Sequence, residues 1–245
     1  TYLYQLTTFH EDMHDEAFTY TRQTLGYPAP KFRAARDQSA PAAGAHPGDA
    51  EVLGGTIALG SRPGGIFVFD NEKWAHEVAV EPFQIAKAPV TNAEFLAFVE
   101  DGGYRDERFW GSDGWAWRES ENAKCPVYWR RGEDGGWWTR AFDTEVPLPP
   151  YQPVSHVNWH EAAAWCRWAG RRLPSEIEWE AAASYGPEAG ELLFEAPKSR
   201  FPWGEATGFS TPANLDGSHT GLVDVAAYPE GDSAFGCRQM IGNVW

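Results

Sequence analysis

Between Tyr104 and Trp138 the chain sets six tryptophans among glycines: Trp110, Trp115, Trp117, Trp129, Trp137 and Trp138. The run Ser112-Asp113-Gly114-Trp115-Ala116-Trp117 is the densest part. Indole rings need a large buried volume, and glycine beside them weakens helix and strand alike. The whole sequence holds 13 Trp, 25 Gly and 18 Pro, which argues against a helical bundle throughout and predicts a loop-rich fold pinned by aromatic clusters. With 42% hydrophobic residues in 245, there is enough apolar side chain for a sizeable core. The rings can wall a substrate site or fill a core between loops, and core is the reading for most of them.

The start of the chain follows a different pattern. Residues Tyr2 to Leu25 read as one helix, because Leu6, Phe9, Met13, Ala17 and Tyr20 recur at three and four residues as an apolar stripe. Gly26 supplies a C-cap and Pro28 blocks continuation. His10 and His14 flank the stripe four residues apart, so they share one helix face a turn apart. Two imidazoles so placed can bind one transition-metal ion, with a further ligand from elsewhere. A surface helix with two solvated histidines fits the same spacing, and both readings stand at this point. Glu16 lies about 200° round the helix from His14, which removes it as a third ligand. It is expected to hold a neighbouring helix or to orient a ligand from behind.

The formal charge of −15 lacks the basic footprint that a nucleic-acid binder needs, and a solvated acidic surface accounts for it. Cys125, Cys166 and Cys237 form neither a disulfide framework nor a zinc-ribbon pattern. That usage points to a reducing compartment, hence a cytoplasmic location. No run of about 18 apolar residues implies a membrane span, and no signal peptide is visible. Both ends look cut: the chain opens inside a helical stretch without Met and stops at the apolar Ile241-Gly242-Asn243-Val244-Trp245.

Residues 29 to 49 change to Ala, Pro, Gly and charge without periodicity, as a linker between two lobes would. Strands are expected at 54–60, 65–69, 77–80 and 83–86. Thr91 with Glu94, Asn158 with Glu161 and Ser175 with Glu178 have capping-box spacing, and predict helices over 92–100, 159–169 and 175–183. Pro153 to Trp159 reads as a strand leading into the second of these. His156 and His160 repeat the four-residue spacing but straddle that junction, and are read as structural. The stretch 201–245 reads as short strands and loops. In it Asn214, Asp216 and Asn243 offer oxygen ligands of the kind Ca2+ uses, or simply form Asx turns.

Five pieces carry a family resemblance. They are Ala88-Pro89-Val90-Thr91-Asn92-Ala93-Glu94-Phe95, Pro153 through Ala162, Trp168 through Glu180, Phe201-Pro202-Trp203-Gly204, and Gly242-Asn243-Val244-Trp245. In this order they resemble the sulfatase-modifying-factor family, whose formylglycine-generating-enzyme-type fold is related to C-type lectins. With the histidine helix ahead of that lobe, and the run Gly111 through Arg118, the chain looks like the ergothioneine-biosynthesis sulfoxide synthases. There a DinB-like helical bundle precedes the lectin-like lobe. The resemblance implies an α+β chain: residues 1–28 end the DinB-like metal-binding bundle, 29–50 link, and 51–245 form a sulfatase-modifying-factor-like domain truncated at its C-terminus.

It also implies non-haem Fe(II) held by three histidines, two of which map onto His10 and His14, with the third on an earlier helix. Such enzymes use O2 to join a sulfur donor, cysteine or γ-glutamylcysteine, to the imidazole of hercynine. Related ovothiol synthases act on histidine, and selenoneine synthases take a selenosugar donor. Some members place Gln, which contacts hercynine, where this chain has Met13; the substitution leaves the selenium branch open. The family's other substrate-binding and proton-donating residues fall largely beyond Trp245. An aromatic wall would suit the quaternary ammonium of hercynine. Two alternatives are carried: a formylglycine-generating oxidase, which needs a reactive cysteine pair late in the chain, and a lectin-like binding module without catalysis.

Overall fold

The computed structural model describes residues 2–31, 42–64, 67–187, 198–205, 212–215 and 217–244. Five α-helices and seven short strands alternate with long loops. They are α1 (Tyr2–Leu25), β1 (Asp49–Val52), β2 (Gly55–Leu59), β3 (His76–Val80), β4 (Phe83–Ala86), α2 (Asn92–Glu100), α3 (Ser112–Ser120), β5 (Trp129–Arg131), β6 (Trp137–Ala141), β7 (Thr144–Pro147), α4 (Trp159–Trp168) and α5 (Glu176–Ser184). This is the mixed helix-and-sheet chain expected. The strands make two antiparallel pairs, β1 with β4 and β2 with β3, and one antiparallel three-stranded sheet in the order β5-β6-β7. Strand β1 begins at Asp49, inside the segment read as linker, and pairs Asp49 with Ala86. Residues 32–41 of that segment lie outside the described residues.

Helices α2, α4 and α5 start where their capping boxes dictate. In each the side chain of Thr91, Asn158 or Ser175 accepts from the backbone N–H three residues on, and the glutamate there accepts from the cap's own N–H. Helix α1 ends in a Schellman turn: Tyr27 N–H bonds to Arg22 O at 2.9 Å and Gly26 N–H to Gln23 O at 3.3 Å, with Gly26 at φ +65°.

Two cores fill the lobe. One joins Val52, Ile57 and Val80 of the strand pairs to Ala181, Ala182 and Tyr185 from α5 and its end, with Cys237. Tyr185 fixes this join, its hydroxyl accepting from Ala58 N–H at 3.0 Å and donating to Ala58 O at 3.2 Å. The other core is aromatic. Phe95, Phe98, Tyr104, Trp110, Trp129 and Trp165 are buried together, and Trp115, Trp117 and Trp137 pack against them. The expectation that most of these rings are core therefore holds.

Several local expectations do not. The dense Trp-Gly run, for which no element was assigned from the sequence, forms helix α3. Gly114 in its middle lets α4 approach closely, since a Cβ there would stand 3.0 Å from Cβ of His160. Residues 67–69 are not a strand, since Phe67 and Phe69 turn their rings toward α1; Gly65 and Ile66 lie outside the described residues. Of the stretch 153–159, only Pro153 pairs, in a single bridge to Thr91, and His156 at φ +57° ends any extension. The described part of 201–244 holds a bridge, Phe201 with Gly204, and one short 3-10 turn (Pro229–Gly231), but no strand. Strands β5 to β7 were not expected from the sequence; β5 and β6 are Trp-Arg segments without alternation, and β7 is the four-residue Thr144–Pro147.

Candidate metal centre

Helix α1 carries His10 and His14 on one face, with ring centroids 4.4 Å apart and planes at 66°. Every residue from Thr7 to Glu16 is exposed, so the pair faces open solvent among the described residues. Nδ1 of His14 lies 3.6 Å from Oε2 of Glu11, one turn back. This places a carboxylate where it can steady the ring. The two rings are close enough to share one ion, and imidazole nitrogen is a suitable ligand for iron or zinc. Among the described residues no group of three or more His, Cys, Asp or Glu side chains could hold a metal. As a metal site the pair would therefore need a further donor from outside the described residues.

The helix does not sit on the lobe by the expected apolar stripe. Met13 and Tyr20, both on that stripe, remain 47% and 54% exposed. Of the stripe residues Phe9 does meet the lobe, and with Tyr2 and Gln23 it belongs to a seven-residue series that drifts only about 20° per step. Tyr2 stacks on Phe67 with centroids 5.1 Å apart, and its hydroxyl donates to Asp70 at 2.9 Å. The Lys73 ammonium lies 4.2 Å from the Tyr2 ring centroid and 2.8 Å from the same carboxylate. Phe9 meets Phe67 at 4.8 Å and Phe69 at 5.8 Å. Gln23, the buried residue of the helix, donates from Nε2 to Arg140 O at 2.9 Å and accepts at Oε1 from Phe142 N–H at 2.6 Å. The lobe offers an aromatic pair at one place and a strand end at another, so the helix is held at its ends and not along a stripe.

Glu16 is the remaining member of the seven-residue series, at mid-span on the lobe-facing line. Among the described residues it makes no hydrogen bond or ion pair, and it holds no neighbouring helix. His10 and His14 are turned about 100° and 140° from Phe9 on the helical wheel, to the flank of the lobe-facing line. Met13 lies between them in sequence, nearer that line.

The other candidates resolve as structure. Glu161 is 3% exposed, and burial pushes its carboxyl above the usual range. It serves as the N3 member of its capping box and accepts from Tyr104. His156 is solvent-exposed at one edge while its ring meets Tyr128 edge-on at 4.9 Å, and it is pushed below the ordinary imidazole value by desolvation and by the Arg140 charge. His160 packs on Gly114. The thiols of Cys125, Cys166 and Cys237 are all pushed up, chiefly by burial, which is the opposite of an activated thiolate. The Asn243 side chain is occupied. Oδ1 accepts from Val223 N–H at 2.9 Å and Asn214 Nδ2 at 3.1 Å, while Nδ2 donates to Gln239 Oε1 at 2.6 Å. These bonds fasten separate loops and are not the local Asx turns expected; Asp216 lies outside the described residues.

Comparison with known proteins places the lobe. The model of the sulfatase-modifying factor enzyme 1-like domain matches residues 35–245. A hercynine oxygenase of Mycolicibacterium thermoresistibile is 43% identical over 194 residues, covering 79% of this chain and 40% of that protein. A hercynine oxygenase of Mycolicibacterium smegmatis is 38% identical over 253 aligned residues, covering 99% of this chain and 54% of that protein. A formylglycine-generating enzyme of Thermomonospora curvata is 30% identical over 222 residues, covering 79% of this chain and 68% of that protein. The chain spans about half the length of the hercynine oxygenases it matches. A match over 35–245 takes in both cores, all seven strands and the last four helices, and so the chain belongs to the sulfatase-modifying factor enzyme 1-like family.

Proposed function

We propose that this chain is part of a non-haem Fe(II), O2-dependent enzyme that forms a carbon–sulfur or carbon–selenium bond on the imidazole of hercynine. The observation that carries the reading is the His10–His14 pair, rings 4.4 Å apart, on a helix seated against a lobe of this family. Two relatives that share the lobe at 43% and 38% identity are named hercynine oxygenases, which supports hercynine as the substrate.

In this reading His10 and His14 hold the ion as neutral imidazoles, and Glu11 steadies the His14 ring. Bound iron would supply the one-electron chemistry through which O2 oxidises a thiol or selenolate donor and the imidazole carbon. The chain's own work is placement: α1 sets the metal ligands against the lobe, and bond formation becomes a matter of proximity and orientation. Met13 beside the pair presents an adaptable apolar surface toward the reacting ring. The thiols of half-buried Cys125 and buried Cys166 and Cys237 are all pushed up, which disfavours formylglycine generation by the described residues. No helix among the described residues is long and apolar enough to cross a membrane, and the substrates proposed are small and water-soluble.

The test is iron content and O2 consumption of the full-length protein with hercynine, offering cysteine, γ-glutamylcysteine or a selenosugar. A His10→Ala/His14→Ala variant runs in parallel. Donor-dependent turnover that disappears in the variant is the expected result and names the donor. Iron retained by the double variant would remove the histidine pair from the site.

A further inference from the structure

The C-terminal end of α1 is gripped by one side chain of the lobe. Arg140, on β6, donates from Nη1 to Gln23 O at 2.5 Å and to Phe142 O at 2.8 Å, and from Nη2 to Thr24 O at 3.5 Å. The grip is reciprocal, because the Gln23 side chain bonds the Arg140 carbonyl and the Phe142 N–H in return. Tyr128 lies against the guanidinium, its centroid 4.3 Å from Cζ, and its hydroxyl reaches Thr24 Oγ1 at 3.5 Å. Gly26 leaves the room: a Cβ there would stand 3.2 Å from Nη1.

Arg140 differs from its sheet neighbours. Arg130 pairs with Glu145 and Arg131 with Glu100, whereas Arg140 has no carboxylate partner among the described residues. Its charge is placed on the last carbonyls of α1, where a cation offsets the negative helix end. Gln23 is 5% exposed, while the residues from Thr7 to Glu16 are all exposed, including Phe9, which keeps 39% exposure although it packs on Phe67. Among the described residues, the roll and tilt of the mid-helix are therefore set only by the two end seats, the Phe67–Phe69 seat and the Arg140 seat. His14 lies about 14 Å along the axis from Gln23, so a loosened end displaces the histidine pair while leaving its internal spacing intact.

We propose that Arg140 is a positioning residue that fixes where His10 and His14 stand relative to the lobe; the catalytic part of this rests on the two histidines being the metal ligands. The spacing within the pair belongs to one helical turn and does not need Arg140. Metal affinity and catalytic placement should therefore separate.

The experiment uses the full-length protein with Cys125→Ser and nitroxide labels at Asp12→Cys on α1 and Ala97→Cys on α2, both exposed. Electron-spin distance distributions, Co(II) affinity, and kcat and KM for hercynine are compared for four forms: Arg140 intact, Arg140→Ala, Arg140→Lys and, as a sheet control, Arg130→Ala. For Arg140→Ala the expected result is a shifted or broadened distance, unchanged Co(II) affinity and a kcat lower by roughly 10- to 100-fold, the cost of about 1 Å of misplacement. Arg140→Lys keeps the charge but not the fork, and should recover part of the loss. Arg130→Ala should match the parent in all readouts. An unchanged distance distribution in Arg140→Ala overturns the proposal, as does a shifted distribution with undiminished kcat. If the parent shows no turnover, the distance result still decides whether Arg140 sets the helix, and the hercynine reading alone fails. Should Arg140→Ala not fold, Arg140→Lys and Gln23→Ala carry the same readouts.

Discussion

The hydroxyl of Tyr104 donates a 2.5 Å hydrogen bond to Oε1 of Glu161 inside the aromatic core. The other carboxylate oxygen accepts the Asn158 N–H at 2.8 Å, so one buried side chain both starts α4 and ties it to the 103–105 turn. Tyr104→Phe removes a donor from a buried carboxylate and should cost about 1.5–3 kcal/mol in urea unfolding. Burial holds the Glu161 carboxyl above its ordinary 4.5, so the folded state keeps a proton that the unfolded chain has lost. Its contribution is full below 4.5 and is lost as pH rises through the folded value. Glu161→Gln can keep both partners, its amide oxygen accepting from Asn158 and its amide nitrogen donating to the Tyr104 oxygen. That variant should flatten the slope, and an unaltered pH profile would show that another group carries it.

His156 has the opposite linkage. Desolvation of the ring against Tyr128 first, and the Arg140 charge second, hold its imidazole below 6.5, although the residue keeps an exposed edge. Between that lower value and 6.5 the unfolded chain binds more protons, so stability falls as pH drops from 6.5 through the folded value and levels off below it. The backbone at φ +57° favours Asn as a replacement, since Asn tolerates that region. Melting temperatures from pH 5 to 8 should decline toward acid in the parent and less so in His156→Asn. Parallel curves for the two would remove His156 as the titrating group.

Glu178 shows what a solvent-edge cap contributes. A side-chain hydrogen bond from Arg172 leads in holding its carboxyl down to about 2, with help from Ser175. Its stabilisation is present above 4.5 and is lost as pH falls toward about 2. Ser175→Ala removes the hydroxyl that accepts from Glu178 N–H and should cost about 1 kcal/mol by chemical denaturation. A loss below a few tenths would mean that the Arg172 pair alone holds the helix start.

These helix starts were legible in the sequence because a capping box is local: both partners lie three residues apart. The Gly26 helix end was legible for the same reason. The seat of α1 was not. Its partners Phe67 and Arg140 lie 58 and 117 residues from Phe9 and Gln23. The series Tyr2, Phe9, Glu16, Gln23 is half polar, so the apolar stripe of Leu6, Phe9, Met13, Ala17 and Tyr20 shares only Phe9 with it. Strands β5 and β6 were missed because Trp129-Arg130-Arg131 and Trp137 through Arg140 show no alternation, with Arg130 and Arg131 lying over the Trp138 and Trp137 faces. The histidine pair itself was legible as spacing, while its orientation on the flank needed the seat.

Gly26 joins the local and distant parts of that seat. At φ +65° it closes the Schellman turn, and its missing Cβ leaves the Arg140 fork in place. Gly26→Ala should cost about 1–2 kcal/mol from the left-handed backbone alone. The new methyl would also press on Nη1, the atom that holds Gln23 O. Gly26→Asn adds the same Cβ but tolerates the backbone, so it separates the two effects. Hydrogen exchange at the Phe142 amide, which bonds Gln23 Oε1 at 2.6 Å, reports on the clasp directly. The expected order of protection is parent, then Asn, then Ala. If both variants exchange at Phe142 as the parent does while losing stability, the helix end and the Arg140 clasp act independently.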